Sequence, residues 1–269
     1  MIVHLFAQCW NDENMLPFFF RHYDSLVDHY FFFDDNSTDG TLDILNNHRR
    51  VTVQPFPHQV ENSFSLSEQH LSNACWKTSR GQADWVIVTD IDEHLFHPEG
   101  RGYLERCAAE GVTLIPALGF QMLSDSAPTP GALLCDRYTV GTPWQKMMKM
   151  SVFDPNALRE IDYQPGRHKA RPLGRLVLPD RDELMLFHYK YLGFEETHQR
   201  HQMLNEGLGS ADVESGWAHK YEWTRDQLRA DWDGFSRDAI ETATIRDEPW
   251  KTYPITPWWR NPRSGLVAD

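Results

Sequence analysis

Asp90, Asp92 and Glu93 put three carboxylates within four residues, directly behind Trp85, Val86, Ile87 and Val88, a β-branched apolar run that reads as a buried strand. Carboxylates at the end of a buried strand repel one another and lose solvation, so they persist there most readily beside a positive charge. Asp90 and Asp92 are one residue apart and can reach one hard ion if the strand is already turning into a loop. Oxygen ligands of this kind suit Mg²⁺ or Mn²⁺, with phosphate oxygens completing the shell. A solvated acidic turn is the plain alternative for an isolated D-x-D. The strand ahead of it favours the ion, because open α/β sheets place ligands at the carboxyl ends of their strands. A second acidic run, Asp34-Asp35-Asn36-Ser37-Thr38-Asp39-Gly40-Thr41, follows another apolar stretch at 29–33. One carboxylate there can accept hydrogen bonds from a nucleobase N–H or from ribose hydroxyls, or it can simply shape a strand-to-helix turn.

Both acidic turns need a sheet to hold them. Apolar runs predict strands over 2–9, 29–33, 51–54 and 85–88. Between them, Leu16, Phe19, Phe20, Tyr23, Leu26 and Val27 follow helical spacing behind Pro17, and Ser37, Thr38 or Asp39 can cap a helix carrying Leu42, Ile44 and Leu45. A third helix is predicted over 68–79, a fourth over 101–110, and a fifth strand over 112–116. This alternation predicts an α/β fold: a Rossmann-like, mostly parallel central sheet with helices on both faces, joined by right-handed crossovers. Parallel strands end on one edge, so the turns at Asp34-Asp35 and Asp90-x-Asp92 should face a common crevice. Farther on the period is harder to read. Strands are predicted over 146–153 and 184–189, helices over 194–205 and 224–232. The end, 250–262, carries Trp250, Trp258 and Trp259 among prolines; packing against the body is its plain reading, an apolar platform for a sugar the alternative.

The chain has 269 residues and a net charge of −13, enough length for one large domain and the wrong sign for tracking nucleic-acid phosphates. Cys9, Cys75, Cys107 and Cys135 are widely spaced and suggest neither a zinc site nor a disulfide framework. Reduced thiols point to a cytoplasmic protein, free or peripheral at the inner face of a membrane. The N-terminus lacks a basic region ahead of its apolar run, so no signal peptide is expected, and no window is apolar enough for a transmembrane segment.

Taken in order, Asn11-Asp12, Leu16-Pro17, Phe33-Asp34-Asp35-Asn36-Ser37-Thr38-Asp39-Gly40-Thr41, Asp84-Trp85 and Asp90-Ile91-Asp92-Glu93 resemble glycosyltransferase family 2 and its close relatives. The similarity is best to the branch of short cytoplasmic enzymes with the patterns N-E, L-P, D-D-x-S-x-D-G-T, D-W and D-x-D-E, and it covers roughly the first hundred residues. The resemblance implies a GT-A fold, a nucleotide-sugar donor such as a UDP-sugar, a divalent cation (Mn²⁺ or Mg²⁺), and transfer of a hexosyl unit with inversion to a glycan or lipid-linked acceptor. It divides the single domain into a nucleotide-binding half, 1–118, and a less regular acceptor-side half, 119–269. Carried over by residue, Asn11 and Asp12 lie beside the nucleoside, Asp12 standing where the family has Glu. Asp34 and Asp35 contact base and ribose, and Asp90 and Asp92 hold the metal. Lys146, Gly166-x-His168 and His188-Tyr189-Lys190 look like further positions of the branch.

His188 follows an apolar strand, so its imidazole can complete a metal site or can be a core histidine with a satisfied hydrogen bond. Lys146, Lys149, His168 and Lys190 are candidates for the departing diphosphate, which needs positive charge. The E-D pair and Q-x-x-R-W of family 2 are absent, which leaves the base that takes the acceptor proton open. Asp125 is preferred, with Asp136 and Glu93 as rivals; Glu93 is better suited to bracing the metal loop. Two other functions compete. A sugar-phosphate nucleotidyltransferase usually carries a glycine-rich basic loop after the first strand, unlike Gln8-Cys9-Trp10-Asn11-Asp12-Glu13. A non-catalytic carbohydrate- or nucleotide-binding protein would not need the Asp90/Asp92 pair.

Overall fold

Val3, Leu5, Ala7 and Cys9 are buried on one face of the first strand, while Phe6 and the part-polar His4 and Gln8 alternate onto the other. A computed structural model describes residues 1–217 and 219–261. Its strands are β1 (Val3–Cys9), β2 (His29–Asp34), β3 (Val51–Pro55), β4 (Trp85–Val88), β5 (Glu93–Phe96), β6 (Leu114–Ser124), β7 (Val140–Pro143), β8 (Lys149–Phe153), β9 (Leu158–Glu160), β10 (Leu173–Gly174), β11 (Met185–Leu192) and β12 (Ile240–Glu241). The helices are α1 (Leu16–Tyr23), α2 (Thr41–Asn46), α3 (Phe64–Ala74), α4 (Arg101–Ala109), α5 (Leu134–Arg137), α6 (Phe194–Glu206), α7 (Ser210–Glu214), α8 (Arg225–Arg237) and α9 (Pro249–Thr252).

The expected α/β architecture forms. The central sheet runs β12-β7-β6-β8-β4-β1-β2-β3, with β11 and β5 attached beyond β6. The strands β4, β1, β2 and β3 are mutually parallel, and β11 is parallel to β6. Antiparallel pairings appear where the second half joins: β8 inserts between β4 and β6 against both. One face packs Leu16, Phe19 and Tyr23 of α1 with Tyr103 and Leu104 of α4. The other packs Phe6, Phe33 and Val88 under Leu71 of α3 and Trp76 of the 3-10 turn Cys75–Ser79.

Several elements differ from the expectation, each for a physical reason. The fifth strand is longer than 112–116 because β6 stays buried through Leu123, pairing with β8 early and with β7 and β11 later. Gly119 permits a close crossing there: a Cβ would lie 2.2 Å from the carbonyl carbon of Met147. β5 was not expected, because its first residue closes an acidic turn. It forms by pairing with β11, a partner far away in sequence. The helix predicted over 68–79 starts earlier, at Phe64, capped by Ser63, whose Oγ accepts from Leu66 N at 3.1 Å. In the tail, Trp259 is fully buried, its Nε1 donating to Asp182 at 2.9 Å, and Trp258 donates to the Met148 carbonyl. The described part of the tail therefore packs on the body; Pro262, its expected end, lies outside the described residues. The four cysteines are free thiols, and among the described residues no helix is long and apolar enough to cross a membrane.

The segment α6–α7 crosses from the end of β11 to the start of α3 and is locked there by Asp212, which has no exposure. Its carboxylate accepts from Ser63 Oγ at 2.7 Å, Phe64 N at 2.8 Å, Ser65 N at 3.3 Å and Gly209 N at 3.2 Å. Removing it strands donors at a buried helix start, so Asp212→Ala is expected to lower unfolding free energy by about 2–4 kcal/mol, summing a lost cap and an unsatisfied donor. Urea denaturation checks this; a change within about 0.5 kcal/mol, the scatter of neutral surface substitutions, would remove Asp212 as the lock.

Candidate active site

The carboxyl ends of β1, β2 and β4 open onto one edge of the sheet, which brings the two acidic turns into one crevice as their spacing implied. After β1, Asn11 adopts φ 51°, a left-handed conformation that asparagine tolerates. Its side-chain oxygen accepts from Thr38 N at 2.7 Å and Asp39 N at 3.3 Å, tying the β1 loop to the β2 loop. Asp12 accepts from Trp10 N at 3.0 Å and pairs with Arg200 of α6 at 2.6 Å. Arg200 also donates to the carbonyls of Trp10 at 3.0 Å and Asn11 at 2.6 Å, so the second half of the chain grips the first loop.

After β2 the two aspartates separate. Asp34 is buried and accepts from Ser37 N at 3.1 Å, which closes the turn; it also lies 3.7 Å from the Cys9 thiol. Asp35 is half-buried, its side chain 16% exposed, and meets His58 Nε2 at 2.6 Å. Of the pair, Asp35 is the more exposed.

The turn after β4 is built on buried charge. Glu93 is 1% exposed and Lys149 and Arg167 are each 2% exposed. Lys149 ion-pairs with Glu93, and Arg167 reaches Glu93 at 3.1 Å, Asp90 at 2.7 Å and Glu68 of α3 at 3.5 Å. Enclosure works against the Glu93 charge, but Lys149 and then Arg167 outweigh it and hold the carboxyl well below its usual range. Asp90 goes the other way: enclosure pushes it up to about 7, Arg167 and Lys149 pull back, and Glu93 and Glu68 add repulsion. Enclosure opposes the charge of Asp92 too, yet His188 and Lys190 prevail and hold it below the usual range.

Across the crevice, His188 Nδ1 lies 2.7 Å from Gln121 Oε1. The Gln121 amide nitrogen donates to the carbonyls of Met122 at 3.0 Å and His188 at 3.2 Å, which fixes Oε1 as an acceptor. Nδ1 therefore carries a proton, and Nε2 is turned toward Asp92 Oδ2, 3.4 Å away. The two side chains face each other as an ion pair when Nε2 carries a proton, and as two donors for one cation when it does not. The residues thus fit a divalent ion at Asp92 and His188. Asp90, turned to Arg167, does not close on them, and among the described residues no three His, Cys, Asp or Glu side chains gather as a ready ion site.

The remaining candidates fall in different places. Lys190 donates to Tyr221 Oη at 2.8 Å, and Lys146 is exposed with no carboxylate partner among the described residues. His168 lies 2.7 Å from the Lys146 carbonyl; burial and then the nearby Lys149 ammonium push it down to about 3, so it offers a hydrogen bond and not a charge. Lys149 corrects its expectation outright: buried on Glu93, it cannot meet a phosphate. Asp125 is exposed on the turn after β6, four residues past Gln121, roughly 13 Å along a strand, and touches none of Asp90, Asp92 or His188. Arg167, Glu68, Arg200 and Gln121 were not found from sequence. Their neighbours in the chain carry no pattern that marks them, except the Pro-Gly pair ahead of Arg167, which announces a turn.

The family model of glycosyltransferase family 92 matches residues 7–112, well under half of the chain. No curated protein matches. Among solved structures, the chain is similar to Staphylococcus aureus TarS 1-349 at 12% identity over 76% of this chain and 64% of that one, TM-score 0.39. It is similar also to TarS 1-349 in complex with UDP-GlcNAc, at 14% identity over 86% and 71%, TM-score 0.36. A 4-diphosphocytidyl-2C-methyl-D-erythritol synthase from Anaerococcus prevotii matches at 12% identity over 57% and 71%, TM-score 0.34. The chain spans less than two thirds of the first of these structures.

The charge cluster has a pH signature. Glu93 and Asp92 contribute stability that is complete above their unfolded values, 4.5 and 3.8, and is lost as pH falls through their lower folded values. Urea denaturation at descending pH is expected to show stability falling below 4.5. Glu93→Gln is expected to be less stable at neutral pH but to lose less on acidification. An unchanged acid slope in that variant would remove Glu93 as its source.

Proposed function

We propose that this chain is a metal-dependent glycosyltransferase that moves a sugar, with inversion, from a UDP-sugar to a hydroxyl of a glycan or lipid-linked acceptor. The observation that carries the reading is the Asp92–His188 pair, a carboxylate and an imidazole nitrogen 3.4 Å apart between the β4–β5 turn and β11. The likeness of residues 7–112 to glycosyltransferase family 92 supports it. Asp35 accepts from base or ribose, with Asn11 and Asp12 shaping the loop beside it. Asp92 and His188 are the side chains that would hold Mn²⁺ or Mg²⁺, with Asp90 on the same turn. When bound, the ion supplies positive charge to the donor diphosphate.

The chain's own residues do the rest. Lys190 and Lys146 bring ammonium groups toward the leaving diphosphate, where charge develops as the glycosidic bond breaks. His168, neutral, contributes a hydrogen bond. The acceptor proton goes to a carboxylate on the opposite face of the sugar; Asp125 is the candidate, a role that requires the attacking hydroxyl to lie within hydrogen-bond reach of the rim after β6. Arg200 fixes the β1 loop so that the nucleoside side of the crevice does not spread.

Donor hydrolysis and transfer, measured with and without Mn²⁺ across a set of nucleotide sugars chosen by thermal shift, test this reading. Asp92→Asn is expected to lower metal-dependent turnover by about a hundredfold or more, the scale of a lost charge-stabilising group, in a chain that stays folded at the assay temperature though it melts somewhat lower for loss of the pair with His188. Full activity in that variant would remove the metal. Asp35→Ala is expected to weaken UDP binding by about ten- to a hundredfold, the worth of a hydrogen bond to a charged group. Calorimetry showing unchanged UDP and GDP affinity would make Asp35 a turn residue only.

A further inference from the structure

Asp90 and Asp92 are equivalent in sequence and unlike in place. Among the described residues the Asp92 carboxylate ion-pairs with His188, itself a candidate ligand, with Lys190 and Arg200 acting on it from farther off, whereas Asp90 Oδ2 is held at 2.7 Å by Arg167 Nη2, with Lys149 Nζ 3.8 Å away. Arg167 cannot easily leave. It is 2% exposed, and it also contacts Glu93 at 3.1 Å and Glu68 at 3.5 Å. Its backbone sits at φ 54° directly after Gly166 at φ 68°, a left-handed pair that a non-glycine residue keeps only where its surroundings over-determine it. Here the surroundings are three carboxylates on three elements: α3, the β4–β5 turn and β5.

Resting on the metal reading above, we propose that Arg167 is the resident counter-cation of Asp90, so that the two aspartates of the turn have separate duties. Asp90 is neutralised from inside the protein and is not a metal ligand. Asp92, with His188, holds the divalent ion. A guanidinium on Asp90 repels a divalent ion brought to the same oxygen, so Arg167 both anchors the turn and directs the ion to the Asp92 side. Arg167 is thus a positioning residue, and Glu68 is what keeps its fork aimed at the turn from the α3 side. The solvent-facing part of the Asp90 carboxylate, 38% of that side chain being exposed, stays available to a hydroxyl donor on the ligand.

Mn²⁺ titration of the full chain by calorimetry, in the presence of UDP, tests this without any measurement of turnover. Asp90→Asn is expected to keep the wild-type Mn²⁺ affinity within about twofold, and Asp92→Asn to lose about tenfold or more. Arg167→Gln, which frees Asp90 to act as a ligand, is expected to bind Mn²⁺ more tightly than wild type by about threefold or more. If that variant fails to fold because Glu93 loses a partner, the two aspartate variants decide alone. Equal losses in Asp90→Asn and Asp92→Asn, or weaker binding in a folded Arg167→Gln, would overturn the division of duties while leaving the metal in place. A wild-type chain that binds no Mn²⁺ with UDP would remove the metal reading itself, and this proposal with it.

Discussion

A carboxylate with 1% exposure lies at the centre of this molecule, and its neighbours are arranged around its charge. Burying an ion without partners costs several kcal/mol even after relaxation, on the order of a large part of a domain's stability. Glu93 escapes that penalty because Lys149 from β8 and Arg167 from the turn at Pro165–Arg167 meet it from two sides, and Thr89 at the end of β4 lies against it at 3.3 Å. The pairing leaves little freedom for the chain between Thr89 and Glu93. Asp90 and Asp92 are presented to the crevice as a consequence, on a turn whose shape is set by charge matching behind it.

The same cluster explains why the second half of the chain cannot be treated as an appendage. β8 lies between β4 and β6, and it is the strand that delivers Lys149. β11 delivers His188, whose tautomer is set by Gln121 on the neighbouring β6. α6 reaches back with Arg200 to hold the β1 loop, and Asp212 beyond it locks the start of α3, the helix that carries Glu68. The crevice is therefore assembled from both halves of the chain.

What could be read from sequence was what short-range pattern encodes. Apolar runs of period two, Pro17 opening a helix, and two acidic turns behind β-branched strands gave the parallel half of the sheet and the edge on which the crevice lies. What could not be read depends on pairs distant along the chain. Lys149 and Arg167 stand 56 and 74 residues from Glu93, Arg200 stands 188 from Asp12, and Gln121 stands 67 from His188. Nothing near Lys149 distinguishes a buried partner of Glu93 from a solvated lysine aimed at phosphate, and the physically cheaper assumption was the exposed one. β5 was missed for the same reason, since its pairing with β11 has no local sign.

The most direct test of this account is the position of the cation itself. A crystal of the full chain grown with Mn²⁺ and UDP, measured at the manganese absorption edge, would show where the anomalous scatterer lies. The account predicts one peak bonded to the Asp92 carboxylate and His188 Nε2, with Gln121 still on Nδ1 and Arg167 still on Asp90. A peak bonded to Asp90 with Arg167 displaced, or UDP bound in the crevice with Asp92 and His188 in direct contact and no metal between them, would contradict it.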